Sequence, residues 1–318
     1  MVLDNKSDPN VATQQARTLV NKNGAVALLG ASTPPLNVPL SATAETLRIP
    51  IVSTTTPIRA WLAGSKSGWH YAWDLFFDEV EATKLAYKTA DQTKTNKKVA
   101  LFTDNEADGV VMGGLWEKNA PAMGYDVVYR ANFPVGTTSY SSFINKAKAA
   151  DAEIVIAQMV PPDGVALWKQ MKSLSFRPKL AFCEKCGASG GWPKALGPIA
   201  DGTGVFANFT PNGPEAKAAQ ETLGKTITNN PDLGLAVDGM TAAQVLLDAV
   251  AKAGTTDPEK LNAAIGETDK TYAAGPVKFT DNAAGLETNM LQWQGDNAIQ
   301  VEPKTDAGAL QVPVAGLK

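Results

Sequence analysis

The chain has 318 residues, of which 44% are apolar and 19% are charged, and its formal net charge at pH 7 is −3. This composition is typical of a soluble globular protein, and the length suits two domains. The small net charge gives no sign of nucleic acid or an anionic membrane surface as a partner. No run reaches the roughly 18 apolar residues that a membrane helix needs, and Met1 is followed at once by Val-Leu-Asp-Asn without a signal-peptide pattern.

The first hundred residues alternate between helical and strand patterns. Asp8-Pro9 has the N-cap and the first-position proline of a helix, and this helix is predicted to end at Asn23-Gly24. Two short apolar runs follow at 25–29 and 49–52, separated by a segment long enough for a crossover helix. A further helix begins near Asp78.

The same alternation continues along the chain and predicts the fold class. Strands are predicted at 98–103, 125–129, 154–157, 179–182 and 204–209, and helices at 110–122, 140–149, 164–174, 215–228, 235–253 and 257–265. The tail turns to β structure at 276–279 and 290–293. The strands are uniformly apolar, as in a parallel sheet covered on both faces. Alternating βα units of this kind indicate a doubly wound α/β architecture.

Small hydroxyl residues follow the first two predicted strands. Ser32 and Thr33 come after the first, and Thr55 and Thr56 come after the second. Loops at the carboxyl ends of parallel strands are where ligands bind, and hydroxyls there can hold a polar group without carrying charge. No nucleophile–base pair accompanies them, so the pattern favours binding over catalysis.

Motifs of the common enzyme classes are absent from the sequence. There is no Walker loop, no G-x-G-x-x-G after a strand and no G-x-S-x-G elbow. A Ser-His-Asp triad would have to use His70, the single histidine, in a predicted surface loop. We therefore expect no enzymatic activity, no cofactor and no metal.

The two cysteines lie in the segment Cys183-Glu-Lys-Cys186. A zinc site would need two more ligands, and the single histidine is far away in sequence. A redox dithiol would need a thioredoxin context, which is absent. The sequence leaves open a local disulfide or two inert thiols.

Four segments, taken in order, resemble the type I periplasmic binding proteins that bind leucine, isoleucine and valine for ABC importers. They are the helix after Asp8-Pro9 with ALLGAST, and the segments KVALFTDNEADG, DAEIVIAQMVPPDGVALWK and AGPVKFTDNAAG, which together span nearly the whole chain. The resemblance implies two doubly wound parallel-sheet lobes joined by a multi-strand hinge. Lobe one would comprise residues 1–104 and 236–270, lobe two residues 105–235, and a β tail at 271–318 would complete the hinge and a lobe edge.

The resemblance also implies ligand contacts in the first lobe. Amino-acid binders of this family hold the ligand's carboxylate through hydroxyls and backbone N–H groups, which assigns this role to Ser32, Thr33, Thr55 and Thr56. The family's key serine falls on Pro34, which offers neither a hydroxyl nor an N–H group. This substitution weakens the expected grip on a carboxylate.

In the second lobe the resemblance points to an acidic site. A family glutamate after a strand takes the ligand's ammonium, and Glu184 matches it. Asp108 takes the place of one pocket tyrosine, and Val160, or Met159 in a shifted alignment, takes the place of another. In the first lobe, Asp78 matches an aspartate near the cleft. An amine buried beside these residues needs a carboxylate partner, which favours a cationic or zwitterionic ligand.

The start of the chain departs from the family pattern. Family members begin with a strand and a helix that have no counterpart here, so that residues 2–3 take the place of the second strand. Residues 2–3 and 25–29 would then lack a shared central neighbour and leave backbone groups unpaired. We expect a weakened or incomplete site if the chain folds alone, and a monomer unless another chain supplies the missing strand.

The function implied is that of an extracytoplasmic solute-binding protein, periplasmic or extracellular, with a lipid anchor as one option. It would close over an amino acid or a related small polar ligand between two lobes and deliver it to an ABC permease in the membrane. One alternative is a ligand-sensing domain of the same fold, of the amide-sensor or receptor type. The other is a Rossmann-like enzyme, for which a glycine-rich phosphate loop is missing.

Overall fold

The computed structural model describes residues 1–209, 214–306 and 308–318. Its strands, in chain order, are β1 (Leu28–Leu29), β2 (Ile51–Thr54), β3 (Ala72–Phe77), β4 (Lys98–Asp104), β5 (Asp126–Phe133), β6 (Ile154–Gln158), β7 (Leu180–Cys183), β8 (Thr203–Ala207), β9 (Asp269–Tyr272), β10 (Gly275–Lys278), β11 (Ala283–Leu286), β12 (Asn289–Gln294) and β13 (Asn297–Glu302).

Its helices are α1 (Pro9–Asn21), α2 (Pro34–Leu47), α3 (Ile58–Leu62), α4 (Glu79–Ala90), α5 (Ala107–Asn119), α6 (Ser141–Ala149), α7 (Pro161–Ser173), α8 (Gly191–Leu196), α9 (Pro214–Leu223), α10 (Asn230–Ala253) and α11 (Pro258–Gly266). The chain divides into two compact units. Unit 1 comprises Met1–Asp78, Asn208–Leu223 and Leu235–Glu287, and unit 2 comprises Glu79–Ala207, Gly224–Gly234 and Thr288–Lys318.

Unit 1 is built on a parallel sheet in the order β1-β2-β3-β11. The expected N-cap at Asp8 is present, since its carboxylate accepts hydrogen bonds from the N–H groups of Asn10 and Val11. The predicted crossover helix between the first two strands is α2, and it ends where Arg48 adopts a left-handed conformation with φ 54°. β9 and β10 form a separate antiparallel hairpin.

The edge of the unit 1 sheet is formed by β1, which pairs with β2 alone among the described residues. The prediction of a strand at residues 2–3 is wrong, because residues 1–5 form no strand and Val2 is 96% exposed. A groove of about 730 Å³ lies along this edge, lined mainly by apolar groups of residues 1–3, α1, β1 and α10. The expected lack of a neighbour for the first strand is therefore visible as an open edge.

Unit 2 is built on a seven-stranded sheet in the order β13-β12-β8-β7-β6-β4-β5. The five strands from β8 to β5 are parallel, whereas β12 runs antiparallel to both of its neighbours. β6 and β7 are buried along their whole length, as their uniformly apolar sequences predicted. The doubly wound α/β class is thus confirmed for this unit.

The division between the units differs from the boundary expected after residue 104. Residues 79–104 belong to unit 2, because β4 pairs with β5 and β6 and α4 packs against α5. The expected β tail also divides, since β9 to β11 belong to unit 1 and β12 and β13 to unit 2.

Helix α10 is long and apolar enough to cross a membrane by length and composition, and it is the one helix of the described residues that passes this test. In its most apolar stretch, 44% of the residues are buried within the protein. A buried helix of a soluble protein has the same character, so this finding is weak support for a membrane span.

Candidate functional site

Three neighbouring strands of unit 2 end in polar residues at one edge of the sheet. β4, β6 and β7 are adjacent and parallel, so their carboxyl ends lie side by side. β4 ends at Asp104, β6 at Gln158, and β7 ends directly before Glu184. We call the following residues the charged cluster of unit 2: Asp104, Glu106, Asp108, Glu184 and Lys185.

Glu184 carries a buried carboxylate. The residue is only 7% exposed, and its backbone N–H donates a hydrogen bond of 2.9 Å to the carbonyl of Ala157 in β6. Burial, and after it the like charge of Asp108, raises the pKa of Glu184 to about 8. The carboxyl is therefore mostly protonated at neutral pH in the free protein, and a nearby cation would favour its ionised form.

Lys185 supplies the positive charge of this cluster. Its Nζ lies 3.2 Å from Oδ2 of Asp108 and forms a second ion pair with Glu106. Burial alone would lower the pKa of Lys185, but Asp108, Glu106 and Asp104 together raise it. The lysine therefore stays charged, and it was not among the residues that the sequence predicted for the site.

Asp108 is engaged by a second donor as well. The amide Nε2 of Gln158 donates a hydrogen bond of 2.6 Å to Oδ2 of Asp108. The other amide atom, Oε1 of Gln158, is buried and has no hydrogen-bond partner within the described part of the chain. Asp108 is thus held by the side chains of Lys185 and Gln158 and by the N–H of Gly109, which leaves Glu184 as the less restrained carboxylate.

Asp104 organises the starts of two helices. Its Oδ2 accepts a hydrogen bond of 3.1 Å from the N–H of Val160, and its Oδ1 accepts one of 3.2 Å from the N–H of Glu106. Burial, followed by the charge of Asp108, raises the pKa of Asp104 to about 7. The carboxyl therefore positions the turns that lead into α7 and α5.

The carboxylates of Asp104, Glu106 and Asp108 each place an oxygen within 4.8 Å of the others. Clusters of carboxylate oxygens of this kind can bind a divalent cation. Here the ammonium of Lys185 contacts two of the three carboxylates. The lysine already engages two of the three possible ligands, and we assign no metal to this cluster.

The two apolar candidates at the end of β6 differ in position. Met159 is fully buried in the hydrophobic core of unit 2. Val160 is half-buried and is the N-cap residue of α7. Val160 is therefore the one of the two with a side chain near the surface.

The first hydroxyl loop of unit 1 leads into α2. Ser32 is exposed and Thr33 is half-buried, with a φ of 71°. α2 begins with Pro34 and Pro35, which have no N–H group, and the N–H of Leu36 already donates to the carbonyl of Thr33. The start of this helix therefore lacks the free donors that usually make a helix N-terminus attractive to an anion.

Asn37 ties this loop to the second hydroxyl loop. Its Oδ1 accepts a hydrogen bond of 2.8 Å from the N–H of Ala31, and its Nδ2 donates bonds of 2.9 Å to the carbonyl of Thr54 and 2.6 Å to the hydroxyl of Thr56. The residue is fully buried. This role was not predictable from the sequence, since Asn37 lies within the segment expected to form the crossover helix.

The candidate threonines of the second loop are placed differently. Thr56 is fully buried, and its hydroxyl is held by Asn37. Thr55 is half-buried with a φ of 56°, its hydroxyl donates to the carbonyl of Thr54, and its own carbonyl accepts a hydrogen bond from the N–H of Thr33. Of the two, Thr55 is the more accessible.

Asp78 directly follows β3 and forms an ion pair with Arg59. Its side chain is 25% exposed. The carboxylate of Asp78 is therefore already paired with the guanidinium of Arg59 in unit 1.

The cysteines flanking Glu184 and Lys185 form a disulfide between Cys183 and Cys186. This bond decides between the two arrangements that the sequence left open. Both sulfur-bearing residues are buried.

The sequence matches one protein family over most of its length. The model of the family described as periplasmic binding protein matches residues 1–298. The chain belongs to the periplasmic binding protein family. The α/β fold of the chain is therefore that of this family, as the resemblance implied.

Three other proteins are similar to this chain at low sequence identity. The Leu/Ile/Val-binding protein homolog 8 of Brucella abortus is 23% identical over 94% of this chain and 79% of its own length. The crystal structure of the leucine binding protein LivK of Thermotoga maritima has a TM-score of 0.82 at 19% identity, covering 94% of this chain and 85% of that one. A solute binding protein from R. palustris, solved in complex with 4-hydroxybenzoate, has a TM-score of 0.75 at 20% identity, covering 93% of this chain and 82% of that one.

Proposed function

We propose that this periplasmic binding protein is the solute-binding component of an ABC importer and that it binds a small ligand with an ammonium group, such as an amino acid. Glu184 would receive the ammonium. The observation that carries the proposal is the buried carboxylate of Glu184 at the end of β7. This carboxylate is buried, and the positive charge of Lys185 offsets its negative charge only in part. A cation beside it is therefore the simplest way to stabilise its ionised form.

The charge balance around Glu184 supports a cationic group. The charged residues that act on it are Asp108, Glu79 and Asp104, which are acidic, and Lys185, which is basic. Lys185 is already paired with Asp108 and Glu106. An ammonium from a ligand would add the missing positive charge.

Recognition of this kind releases a proton. In the free protein the pKa of Glu184 is raised to about 8, so the carboxyl is mostly neutral at pH 7. Pairing with an ammonium favours the ionised form and lowers this pKa. Affinity for an ammonium ligand should therefore rise with pH up to about 8.

The hydroxyl loops of unit 1 carry the candidate contacts to a ligand carboxylate. Ser32 is exposed and Thr33 and Thr55 are half-buried, whereas Thr56 is held by Asn37. The prolines at the start of α2 remove N–H donors. We therefore assign a ligand carboxylate to the hydroxyls of Ser32, Thr33 and Thr55, with a weaker grip than a helix N-terminus would give.

The named relatives support this ligand class and define its alternative. The Brucella relative and LivK are named for leucine, isoleucine and valine or for leucine. The R. palustris protein binds an aromatic acid that has no amine. The second candidate ligand class is thus a carboxylic acid without an ammonium group, which the reduced carboxylate grip of unit 1 disfavours.

A thermal-shift and calorimetric screen tests the proposal. Leucine, isoleucine and valine form one arm and 4-hydroxybenzoate the other. A ligand at 100 times its dissociation constant should stabilise the protein by about 2.7 kcal/mol. Stabilisation by the amino acids supports the proposal, stabilisation by 4-hydroxybenzoate alone assigns the second class, and no shift with any compound contradicts an amino-acid site.

The remaining parts of the assignment follow from the same function. We place the protein in the periplasm or outside the cell, with an ABC permease in the membrane as its partner and no reaction catalysed. Separation of periplasmic from cytoplasmic extracts tests the location, and transport of the bound solute with and without the protein tests the partnership. Uptake that is unchanged when the protein is removed would contradict it.

A further inference from the structure

The disulfide between Cys183 and Cys186 closes a ring of four residues directly after β7. Both cysteines are buried, at 0% and 2% exposure. A Cβ atom added at Gly164 in α7 would lie only 2.4 Å from both Cβ and Sγ of Cys186. The crosslink is therefore wedged against α7, where a glycine makes room for it.

The two residues inside this ring are Glu184 and Lys185, and they are held in different ways. Lys185 is anchored by ion pairs with Glu106 and Asp108. For the carboxylate of Glu184, by contrast, residues 1–209, 214–306 and 308–318 provide no hydrogen-bond donor and no ion-pair partner. Only its backbone is tied, through the N–H that donates to Ala157.

A carboxylate in this position tends to move into water. Burial disfavours its charge, and Asp108, Glu79 and Asp104 repel it, with Lys185 as the opposing attraction. A rearrangement of the turn would relieve both effects. A covalent crosslink across the turn restricts the backbone conformations that such a rearrangement needs.

We propose that the Cys183–Cys186 disulfide is a positioning device that keeps the Glu184 carboxylate buried in its ligand-binding position, so that reduction of the disulfide weakens recognition of an ammonium ligand. The role of Glu184 toward a ligand rests on the proposed function. The effect of the crosslink on the position of the carboxylate does not, and it is measurable without any ligand.

The redox step is a simple exchange with a dithiol. Attack by the dithiol breaks the S–S bond and produces two cysteine thiols, and the dithiol closes into its own cyclic disulfide. Two electrons and two protons pass from the dithiol to the protein. Because both cysteines are buried, the number of free thiols must be counted after treatment.

The first experiment follows the titration of Glu184 by NMR in protein labelled with ¹³C at the glutamate carboxyl carbons. The resonance is assigned by its loss in Glu184→Gln. In the oxidised protein we expect a midpoint near pH 8, and in the reduced protein or the double variant Cys183→Ala/Cys186→Ala we expect a midpoint several pH units lower, near the ordinary glutamate value of about 4.3.

Two outcomes of this titration would overturn the proposal. One is an unchanged midpoint in protein whose two thiols have been counted. The other is unfolding of both the reduced protein and the double variant, since the disulfide would then be a general structural crosslink rather than a device for Glu184. The variant Glu81→Gln serves as the control, because Glu81 lies at an exposed site and its replacement should leave the Glu184 midpoint unchanged.

The second experiment compares leucine with 4-methylpentanoate, which has the same carbon skeleton but no amine. Reduction should weaken binding of leucine by tenfold or more and leave binding of 4-methylpentanoate unchanged. Equal weakening of both would contradict a role through Glu184. If the oxidised protein binds neither compound, the proposed function fails, while the titration still decides the role of the disulfide.

Discussion

Lys185 Nζ lies 3.2 Å from Oδ2 of Asp108, and this ion pair joins the turn after β7 to the first turn of α5. The side chain of Asp108 is only 2% exposed and that of Lys185 15% exposed. Lys185 also pairs with Glu106. One lysine therefore pairs with two carboxylates of the cluster, and Glu184 is not one of them.

Replacing Lys185 by methionine should destabilise unit 2. The change leaves Asp108 buried without its cation, and removal of one partner of a buried pair typically costs about 3–5 kcal/mol. Urea unfolding followed by circular dichroism measures the loss. Lys84→Met is the matched control, because Lys84 pairs with Glu81 at an exposed site and should cost less than about 1 kcal/mol. Equal losses in the two variants would contradict the importance given to the buried pair.

Replacing Gly164 by alanine should also destabilise the protein. The new methyl group would meet Cys186 at 2.4 Å, and overpacking of this kind costs about 1–3 kcal/mol. Gly114 in α5 is the control, because a Cβ there has no neighbour within 4 Å. Gly114→Ala should stabilise by about 0.5–1 kcal/mol. The prediction fails if the two substitutions shift the thermal unfolding temperature in the same direction.

Replacing Asn37 by alanine should loosen both hydroxyl loops of unit 1. The substitution removes the bonds to Ala31, Thr54 and Thr56 and leaves buried groups unsatisfied, at about 1–3 kcal/mol for each such group. Amide hydrogen exchange should increase in both loops. Asn10→Ala, at an exposed position in α1, is the control, and protection that is equal in the two variants would count against the role of Asn37.

The stability of the free protein should depend on pH through Glu184. Its folded pKa is raised to about 8 by burial, so the carboxyl binds its proton more tightly in the folded state than in the unfolded one. The stability linked to this proton is fully present below the unfolded pKa and is lost as pH rises to about 8.

The variant Glu184→Gln should therefore match the wild type near pH 4 and exceed it in stability at pH 8 and above. The gain expected from a shift of this size is on the order of 4 kcal/mol. Urea midpoints across the pH range measure it. Glu81→Gln, with a side chain 69% exposed, should show no such divergence, and a Glu184→Gln curve parallel to the wild type would contradict the buried position of this carboxyl.

Much of the fold was predictable from the apolar runs. β4, β6 and β7 coincide with uniformly apolar segments, and their burial explains why the pattern was clear. β3 was missed, because its sequence AWDLFF places Asp74 in the middle of a buried strand. The strand expected at residues 2–3 did not form, since strand formation depends on a neighbour that a local pattern cannot supply.

The candidate site was predictable only in part. Glu184 and Asp108 were assigned through the resemblance to the family, and both lie in the charged cluster of unit 2. The contacts of Lys185, Gln158 and Asn37 depend on side chains brought together from separate elements. No spacing along the chain encodes such contacts, so they required the structure.

A calorimetric comparison of wild type and Glu184→Gln with leucine and 4-methylpentanoate tests Glu184 as the ammonium site. Loss of a buried partner for the ammonium should cost about 3 kcal/mol or more, which lowers the affinity for leucine by about two orders of magnitude. The affinity for 4-methylpentanoate should not fall, and Glu81→Gln should bind both like the wild type. Leucine binding that is equally tight in Glu184→Gln and wild type would contradict the assignment of Glu184 as the ammonium site.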